Sequence, residues 1–540
     1  MKFTRREILT AFLGLPFALA ACKSTPENQS FPDGEIVGAN ASLGHILREN
    51  RSFEVPAQNW ENVKIAIIGG GAAGLSAAWK FRKENFADYV LLELESAIGG
   101  TARSGKNNFI GYPWGAHYLP VPFKENAELI SLLDEMQLTE GRNRDGNIVV
   151  AEQFLCREPE ERVFYKGRWY EGLYLHAGAG AEDKRQLAEF QKQIDFWVNW
   201  RDAKGRRAFV LPIGECSNDA EATALDKISF ADWLKQKGFD SPRLVWYCDY
   251  ACRDDYGLKL EQASAWAGLF YFCSRVRSSG EESQPFITFP EGNGRFVNFL
   301  HDKVKEKSRL NTIAVEIIPN EKGVDVVYLD AEKQLRGFHC EKIIFAAPIF
   351  TAKYLIRDFK QNAPEYVREF EHNAWFVANL FLKDRPKSQF QRDFPLAWDN
   401  VIYESNSLGY VNATHQKGID YGATVFTYYF PMCSTDGRAK LFAADWRELA
   451  DICLTDLSLA HKNIREQTTR IDIMRWGHAM ISPRPNFLWN GARDEAQKPF
   501  RNIHFAHSDL SGIALFEEAF YHGIRAAREI LGRIQTGYTG

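Results

Sequence analysis

A glycine-rich turn between an apolar run and a helical segment carries the clearest chemistry in this sequence. Residues 63–68, VKIAII, are rich in β-branched residues and predict a buried parallel strand. They run into GGGAAG at 69–74, a G-x-G-x-x-G pattern, and a helix-compatible segment follows from Leu75. Free amides at the start of such a helix bind phosphate oxygens. The pattern therefore predicts a site for the pyrophosphate of a dinucleotide.

Each glycine of the turn has its own physical role. Gly69 permits the tight turn out of the strand, Gly71 lets the backbone approach a pyrophosphate, and Gly74 lets the helix pack near the strand. A second apolar run, 89–92, ends at Glu93, where a carboxylate can accept hydrogen bonds from a ribose diol. A carboxylate there repels a 2′-phosphate, so an NADP-type ligand is disfavoured.

Two further stretches have the small residues that a flat, charged ligand needs. Gly99 and Gly100 again allow a close backbone approach, and Arg103 could neutralise pyrophosphate charge. Residues 111–118, GYPWGAHY, predict a turn into a short strand against which a flat ring could lie. Both stretches extend the predicted site beyond the first turn.

Composition limits the class of protein. The chain has 540 residues, 45% of them hydrophobic, which suffices for two domains with a large core. A formal net charge of −4 gives no electrostatic footprint for nucleic acid. Aromatic residues reach 14%, which fits either a large core or an aromatic-lined cavity, and composition alone does not separate the two.

The N-terminus has the features of an export signal. Arg5 and Arg6 lie in a segment that resembles a twin-arginine motif, and the apolar run 8–21 is too short to span a bilayer comfortably. It ends in LAAC, which resembles a bacterial lipobox and implies lipidation of Cys22. We therefore expect a periplasmic lipoprotein anchored to the membrane, with a signal peptide at 1–21 and a lipidated tether of little regular structure at 22–60. Within the tether, GHILR at 44–48 could be a more ordered segment that packs back on the body.

The remaining cysteines do not point to a metal. Eight follow Cys22, their spacings do not repeat, and the chain is large, so we expect most of them to be buried thiols. Cys248 and Cys252 form the only close pair, and no histidine cluster accompanies them. A metal site is therefore not expected.

The rest of the chain alternates between helical and strand patterns. Residues 128–284 are expected to be mostly helical and to interrupt the nucleotide domain. Strands are predicted at 312–318, 324–329 and 342–347 for the nucleotide domain, and at 374–382 and 424–429 for a second, mixed sheet. A final helix is predicted at 515–530, with small residues suited to packing against the sheet.

Several of these stretches together resemble the flavin-containing amine oxidase superfamily. This group includes monoamine and polyamine oxidases, protoporphyrinogen oxidase and phytoene desaturase. The motifs that carry the resemblance are GGGAAG at 69–74, Glu93 with Gly99-Gly100, PEGNG at 290–294, IIFAAP at 343–348 and FAHSDLSGIALFEEAFYHGIRAA at 505–527. RWGHAM at 475–480 is similar to a segment on the desaturase side of the group.

The resemblance implies an α/β architecture with FAD as the cofactor. It predicts a Rossmann-like FAD-binding domain in three parts, 61–120, 285–350 and 495–540. A discontinuous mixed α+β substrate domain would occupy 121–284 and 351–494. The implied cofactor-binding residues are Gly69, Gly71, Ala72, Ala73, Gly74, Glu93, Gly99, Gly100, Arg103, Val315, Asp509, Phe516 and Glu517.

These residues have distinct implied roles. The main chain at Val315 would touch the adenine, and Asp509 would lie near the ribityl-phosphate. Phe516 and Glu517 would place backbone N–H groups at the pyrimidine edge of the flavin, where a helix N-terminus stabilises the anionic reduced form. His117 and Tyr118 near the flavin, with Trp476 and His478, are the candidates for catalysis. The alternative for each of these four is a packed core residue.

One departure from the family pattern concerns chemistry. Many amine oxidases carry a lysine that reaches flavin N5 through a water, but the strand at 374–382 reads AWFVANLFL. Lys383 comes only at its end, where a surface position is expected. This departure puts ordinary oxidation of amines by oxygen in doubt.

Three functions follow as alternatives. The first is an FAD-dependent oxidoreductase that removes two electrons from a C–N bond. The second is a desaturase or oxidase of an apolar isoprenoid or porphyrinogen, which the aromatic content and RWGHAM favour. The third is a non-catalytic flavin-binding partner in electron transfer or assembly, which the missing lysine keeps open. No second dinucleotide motif occurs, so electrons would pass to oxygen, a quinone or a redox protein.

Overall fold

The computed structural model describes residues 31–49, 53–386 and 394–536. Arg5, Arg6 and Cys22 lie outside these ranges, so the expected export signal and lipidation remain predictions from the sequence. Across the described ranges, no helix has both the length and the apolar content that crossing a membrane requires.

Strands occur along the whole described chain. They are β1 (Asp33–Gly38), β2 (Trp60–Ile68), β3 (Tyr89–Leu92), β4 (Ser104–Lys106), β5 (Gly111–Pro113), β6 (Tyr118–Pro120), β7 (Thr139–Arg142), β8 (Ile148–Val150), β9 (Glu161–Tyr165), β10 (Arg168–Glu171), β11 (Phe286–Thr288), β12 (Ser308–Arg309), β13 (Ile313–Pro319), β14 (Val324–Leu329), β15 (Leu335–Phe345), β16 (His372–Leu382), β17 (Asp399–Ile402), β18 (Tyr410–Asn412), β19 (Thr424–Met432), β20 (Thr468–Ile481) and β21 (Ile503–Phe505).

Helices are interspersed among the strands and join the two domains. They are α1 (Ala41–His45), α2 (Ala72–Lys83), α3 (Ala127–Glu135), α4 (Ala181–Asn199), α5 (Ala220–Thr223), α6 (Phe230–Gln236), α7 (Pro242–Tyr256), α8 (Ala265–Cys273), α9 (Gly294–Asp302), α10 (Ala352–Leu355), α11 (Arg357–Asn362), α12 (Gly437–Ala443), α13 (Trp446–Ser458), α14 (Ile464–Gln467), α15 (Ala492–Gln497) and α16 (Phe516–Thr536).

The nucleotide domain is built on a mostly parallel sheet. Strands β12, β3, β2 and β15 lie side by side in parallel, and β21 also pairs in parallel with β15. The β13–β14 hairpin continues the sheet in antiparallel fashion from β15. The crossover from β2 to β3 runs through α2, which gives the β-α-β unit that the glycine pattern predicted. The predicted Rossmann-like class is confirmed.

The second domain contains an eight-stranded mixed sheet with the order β1-β20-β16-β19-β18-β17-β9-β10. The two strands predicted for this sheet are β16 and β19, which pair in antiparallel fashion with Val377 opposite Tyr429. Helices α4 to α8 supply most of the remaining core, in a cluster rich in tryptophan and phenylalanine. The predicted mixed α+β substrate domain is therefore present.

Two expectations about local structure were wrong. Part of the segment predicted as an irregular tether forms a strand, since β1 pairs with the edge strand β20, whereas the packing of residues 44–48 on the body agrees with the sequence. An edge strand offers unpaired backbone groups that recruit such an addition. The block at 128–284 is helical at α3 and again from α4 onward, because β7 to β10 lie between these two helices and β9 joins the large sheet through β17.

The cysteines behave as the sequence predicted. All eight in the described residues are free thiols, and seven of them are buried. Cys248 and Cys252 lie one turn apart on α7, in a fully buried position. Their role is therefore in packing.

The last helix, α16, contacts β15 and β21 of the sheet, as the sequence predicted, and packs most extensively on α2. At Gly523, a Cβ atom would lie 2.0 Å from Ser76 Oγ and 2.1 Å from the carbonyl oxygen of Ala73. The backbones of the two helices therefore touch, and only glycine permits this approach. The contact joins the C-terminal part of the nucleotide domain to the glycine turn.

A matched pair of glycine substitutions on α16 tests this contact. We expect Gly523→Ala to lower the free energy of unfolding by about 1–3 kcal/mol, because the added methyl group forces the helices apart. Gly532→Ala on the same helix meets no atom within 4 Å and should raise it by roughly 0.5–1 kcal/mol through helix propensity. Thermal unfolding followed by circular dichroism measures both. Equal effects at the two positions would contradict the proposed helix contact.

Candidate functional site

Two adjoining cavities lie where the two domains meet. The larger, of about 430 Å³, follows the carboxyl ends of the parallel strands, and the smaller, of about 120 Å³, lies against the large mixed sheet. They share a wall that includes Thr101, Ala116, Trp476 and Phe516. A ligand in the larger cavity can therefore contact a second molecule in the smaller one. We call them the cofactor cavity and the substrate cavity.

The glycine turn lines the cofactor cavity in the way its spacing predicts. Gly69, Gly71, Ala72 and Ala73 all contribute to the wall. A Cβ atom at Gly71 would meet no atom within 4 Å, so its backbone faces open space that a pyrophosphate could fill. Gly74 does not line the cavity. It faces the end of the strand, since a Cβ atom there would lie 1.9 Å from the Gly69 carbonyl oxygen. Its role is the close packing of α2 on β2.

Glu93 lies at the nucleotide end of the cofactor cavity. Its Oε2 accepts a hydrogen bond from the Gly70 N–H at 2.8 Å, and its Oε1 accepts one from the Glu95 N–H at 2.8 Å. Burial raises the pKa of Glu93, and the two backbone amides oppose that rise. The amides fix the carboxyl group beside Thr312 to Ala314, where an adenosine ribose would lie.

The second glycine pair supports the same wall. Gly99 and Gly100 line the cavity, and the Gly99 N–H donates to the Gly70 carbonyl at 2.8 Å. Gly99 has φ = +109° and Gly100 has φ = +55°, a conformation that favours glycine. This turn therefore holds the first glycine turn in place from the side of the cavity.

Four residues implied by the resemblance, Gly74, Arg103, Val315 and Glu517, do not line the cofactor cavity, and Glu517 lines the substrate cavity. The Arg103 guanidinium lies 3.6 Å from Glu95 and 5.2 Å from the Trp476 ring centroid, behind the wall. Val315 is buried against Leu43, and the cavity is lined by Thr312, Ile313 and Ala314 immediately before it.

Asp509 borders the cofactor cavity as the centre of a buried hydrogen-bond cluster. Its Oδ1 lies 2.9 Å from His372 Nε2 and 3.0 Å from His507 Nδ1, and its Oδ2 accepts the Ile349 N–H at 2.9 Å. Burial alone would raise the pKa of Asp509, but the two imidazoles outweigh it and hold the pKa well below its usual range. The cluster therefore fixes an ionised carboxylate beside the cavity.

The four predicted catalytic residues separate into two groups. His117 and Tyr118 line the substrate cavity, and Trp476 lies between the two cavities, with its Nε1 donating to the Trp114 carbonyl at 2.7 Å. His478 lies in the cofactor cavity only, stacked on Phe350 with ring centroids 4.1 Å apart. His478 does not line the substrate cavity, so its position does not support a role at the reacting bond of a substrate.

Aromatic rings enclose the substrate cavity. The His117 ring centroid lies 4.8 Å from that of Tyr429 and 5.3 Å from that of Trp398. Burial lowers the pKa of His117 to about 4, so the imidazole is neutral at physiological pH. This lowered pKa does not suit His117 to act as a general base near neutral pH. The high aromatic content serves the cavity as well as the core.

Carboxyl groups outnumber cations in the substrate cavity. Asp254 and Asp255 at the end of α7, Asp399 on β17 and Glu517 on α16 all line it, with Arg275 as the one basic side chain among the described lining residues. Arg275 Nη2 lies 3.0 Å from Asp255 Oδ2. The other three carboxyl groups have no salt bridge within the described residues. Hydroxyl groups donate to two of them, Tyr250 to Asp399 at 3.4 Å and Tyr271 to Asp254 at 3.5 Å, and backbone N–H groups favour the ionised forms of Asp399 and Glu517.

Burial shifts the titration of these carboxyl groups upward. It raises the pKa of Asp399 to about 7 and that of Glu517 to about 7. It raises the pKa of Asp254 well above its usual range, with the neighbouring Asp255 adding to the effect. A buried carboxyl group without a cation favours its neutral form, so a bound cation would favour its ionisation.

The sequence singled out only one of these acidic residues, Glu517, and predicted its backbone as a cofactor contact. Asp254 and Asp255 could have been noticed as an acidic pair within the apolar pattern of a buried helix, YACRDDYGL. Asp399 gives no local signal. Its position depends on the pairing of β17 with β18 and β9, which are far apart in sequence. Arg275 and His372 likewise depend on tertiary packing.

The missing lysine is also absent from the cavities. Among the described residues that line them, none is a lysine. Trp375 and Val377 are the residues of β16 that face the substrate cavity, and Lys383 is exposed beyond the end of the strand. The departure found in the sequence therefore holds in the described structure.

Comparisons with known proteins identify the architecture. The model of the flavin containing amine oxidoreductase family matches residues 72–531. Oxidoreductase PigB of Serratia sp. (strain ATCC 39006) is 23% identical, over 89% of this chain and 77% of PigB. A putrescine oxidase structure with bound putrescine has a TM-score of 0.64 at 17% identity, over 88% of this chain and all of that one. Cyclohexylamine oxidase from Brevibacterium oxydans IH-35A has a TM-score of 0.60 at 14% identity, over 88% and 100%.

The residues of the cofactor cavity fit a flavin dinucleotide. Glu93 lies at one end for a ribose, the open backbone of Gly71 lies in the middle for a pyrophosphate, and the N-terminus of α16 at Phe516 lies at the end that meets the substrate cavity. The cavity thus runs from the nucleotide side to the substrate side, as this cofactor requires. The chain belongs to the flavin-containing amine oxidoreductase family and is an FAD-dependent oxidoreductase.

Proposed function

We propose that this enzyme removes two electrons from the C–N bond of an amine that binds as a cation, in the cell envelope. The observation that carries the substrate class is the set of three carboxyl groups without basic partners in the substrate cavity. The amine substrates printed for putrescine oxidase and cyclohexylamine oxidase support the same class. The envelope location rests on Arg5, Arg6 and Cys22 in the sequence.

Charge is the reason that the cavity suits an ammonium group. An ionised carboxylate buried without a counterion is costly, and a bound cation offsets that cost. The rings of Tyr429, Tyr118 and Trp476 can add cation–π attraction on the other sides of the cavity. A small amine would thus meet carboxylates at its nitrogen and aromatic faces along its carbons.

Proton handling follows from the same carboxyl groups. The bound FAD supplies the two-electron acceptor. The nitrogen lone pair must be free for oxidation, so the bound ammonium must lose a proton. Asp399 and Glu517 have pKa values of about 7, which suits a carboxylate that takes this proton. His117, neutral and fixed against Tyr429, orients the substrate without changing its charge.

The other two functions are less well supported. An isoprenoid would leave Asp254, Asp399 and Glu517 buried beside an apolar chain, with no cation to offset their charge. A non-catalytic role conflicts with membership of an oxidoreductase family.

The acceptor of the electrons in the second half of the reaction is oxygen, a quinone or a redox protein. Because no described residue that lines the cavities is a lysine, a quinone and a redox protein are the acceptors to test first.

An anaerobic screen of the purified FAD enzyme tests the substrate class. We expect small primary or secondary amines to bleach the visible flavin absorbance, because the cavity is acidic and aromatic. Porphyrinogens and isoprenoids serve as comparison substrates. Bleaching by an isoprenoid with no response to any amine would overturn the proposal.

Two adjacent glutamates offer a matched test of the cavity charge. Glu517→Gln should weaken amine binding at pH 8 by roughly tenfold or more, since it removes a carboxylate that faces the cation. Glu518→Gln is the control, because Glu518 is equally buried and also has a pKa of about 7, yet it accepts the Ile213 N–H at 2.8 Å and does not line the cavity. Stopped-flow titration of the flavin gives both dissociation constants. Similar losses in the two variants would indicate a general structural effect.

The pH dependence of cation binding follows from the raised pKa values. Below about pH 7, Asp399 and Glu517 take up protons and lose their charge, so affinity for a cation falls as pH decreases. Tetramethylammonium is the probe, because its charge does not titrate. We expect its affinity to fall by about tenfold from pH 8 to pH 6. Uncharged tert-butanol is the control, and a tetramethylammonium affinity independent of pH would contradict the assignment.

A further inference from the structure

The segment that precedes the nucleotide-binding motif crosses from one domain to the other. Strand β1 pairs in parallel with β20 of the substrate-domain sheet, with Asp33 opposite Arg470 and Gly38 opposite Met474. Immediately afterwards the chain passes along the cofactor cavity, and Leu43 on α1 packs among Ile313 and Val315 of the nucleotide-domain sheet. The segment from Ala39 to Arg48 is therefore held at both ends, and we call it the strap.

A chain of hydrogen bonds links the strap to the nucleotide end of the cavity. The Asn40 N–H donates to Glu95 Oε1 at 2.8 Å, and the Glu95 N–H donates to Glu93 Oε1 at 2.8 Å. The Asn40 side chain also caps α1, with its Oδ1 accepting the Leu43 N–H at 3.0 Å. The strap thus lies beside Glu93, the residue predicted to bind the ribose. The hydrogen bond to Glu95 holds the strap at this end of the cofactor cavity.

The face of the strap toward the cavity combines small and apolar residues with the polar side chains of Asn40, His45 and Arg48. Ala39, Ala41, Gly44 and Leu47 line the cofactor cavity, as does Arg48, which also borders a neighbouring basic cavity with Arg438 and Lys353. Small side chains leave space for a flat ring system. A guanidinium at the rim favours an anionic ligand such as a dinucleotide pyrophosphate.

We propose that the strap is an additional part of the FAD site, which closes the cofactor cavity and retains FAD. The glycine turn, Glu93 and α16 form the inner walls, and the strap forms the wall between Glu95 and β20. Release of FAD would then require Leu43 to leave its position on the β13–β14 hairpin. This contribution slows dissociation of the cofactor and does not depend on which substrate the enzyme uses.

The release rate of FAD from the holoenzyme tests the strap. Leu43→Asp places a charge where the buried Leu43 is only 7% exposed, so it should detach α1 and speed FAD release by about tenfold or more. Leu459→Asp is the matched control, because the same change is made at a side chain that is 53% exposed and remote from the cavity. Release is followed by the rise in fluorescence of free FAD after dilution, with circular dichroism to verify the fold.

The results separate a strap from a purely structural segment. Faster release from folded Leu43→Asp, with no change in Leu459→Asp, supports retention by the strap. An unchanged release rate in folded Leu43→Asp overturns it.

A second pair of variants applies even where Leu43→Asp does not fold. Arg48 is exposed, so Arg48→Glu should leave the fold intact and weaken FAD binding several-fold, more so at low salt. Arg144→Glu, at an exposed turn between β7 and β8, makes the same change in charge away from the cavity. Binding of FAD to the apoprotein is measured by fluorescence titration. Equal affinities in the two variants would overturn the proposal.

Discussion

The site depends on one close contact between backbones. Gly523 on α16 lies directly against Ala73 and Ser76 on α2, and Gly74 of α2 lies directly against Gly69. These contacts stack the last helix, the first helix and the first strand without intervening side chains. As a result, the N-terminus of α16 reaches the junction of the two cavities, although it is over 400 residues from the glycine turn. The cofactor cavity therefore exists only when distant parts of the chain are assembled.

The second constraint is the charge of the substrate cavity. Protein interiors rarely keep four carboxyl groups together with a single cation, and here burial raises the pKa values of Asp254, Asp399 and Glu517, the three that form no salt bridge within the described residues. Such an arrangement destabilises the ligand-free protein and favours a ligand that brings positive charge. The surrounding aromatic rings exclude water and strengthen that preference. The proposed substrate class follows from this imbalance more than from the resemblance to amine oxidases.

The parts of the fold that depend on local pattern could be predicted from the sequence. The β2–α2–β3 unit, the strands β13 to β16 and the last helix each have a period or a glycine pattern of their own. The placement of β1 could not be predicted, since a short polar strand has no clear pattern and depends on an open sheet edge. Arg103 and Val315 lie outside the lining of the cofactor cavity, and their contacts with the cofactor stay predictions from the sequence.

The site, like the fold, has one part that follows from a local sequence pattern and another that depends on tertiary packing. The pyrophosphate turn and Glu93 belong to one contiguous motif, so their spacing was enough to identify them. Asp254, Asp399 and Arg275 come from a helix, a strand and a loop that only tertiary packing brings together. Their raised pKa values are a property of that packing and have no counterpart in the sequence. The resemblance named a C–N bond among three alternatives, but the acidic lining of the substrate cavity became visible only with the structure.

The most direct test of the central claim is a crystal structure of the FAD enzyme with benzyltrimethylammonium, whose two ends are distinguishable in electron density. The account predicts that the quaternary nitrogen lies in the substrate cavity, within about 6 Å of an aromatic ring centroid and facing the carboxyl groups of Asp399 and Glu517. A structure in which the benzyl ring occupies this position, with the nitrogen directed away from both carboxyl groups, would contradict it.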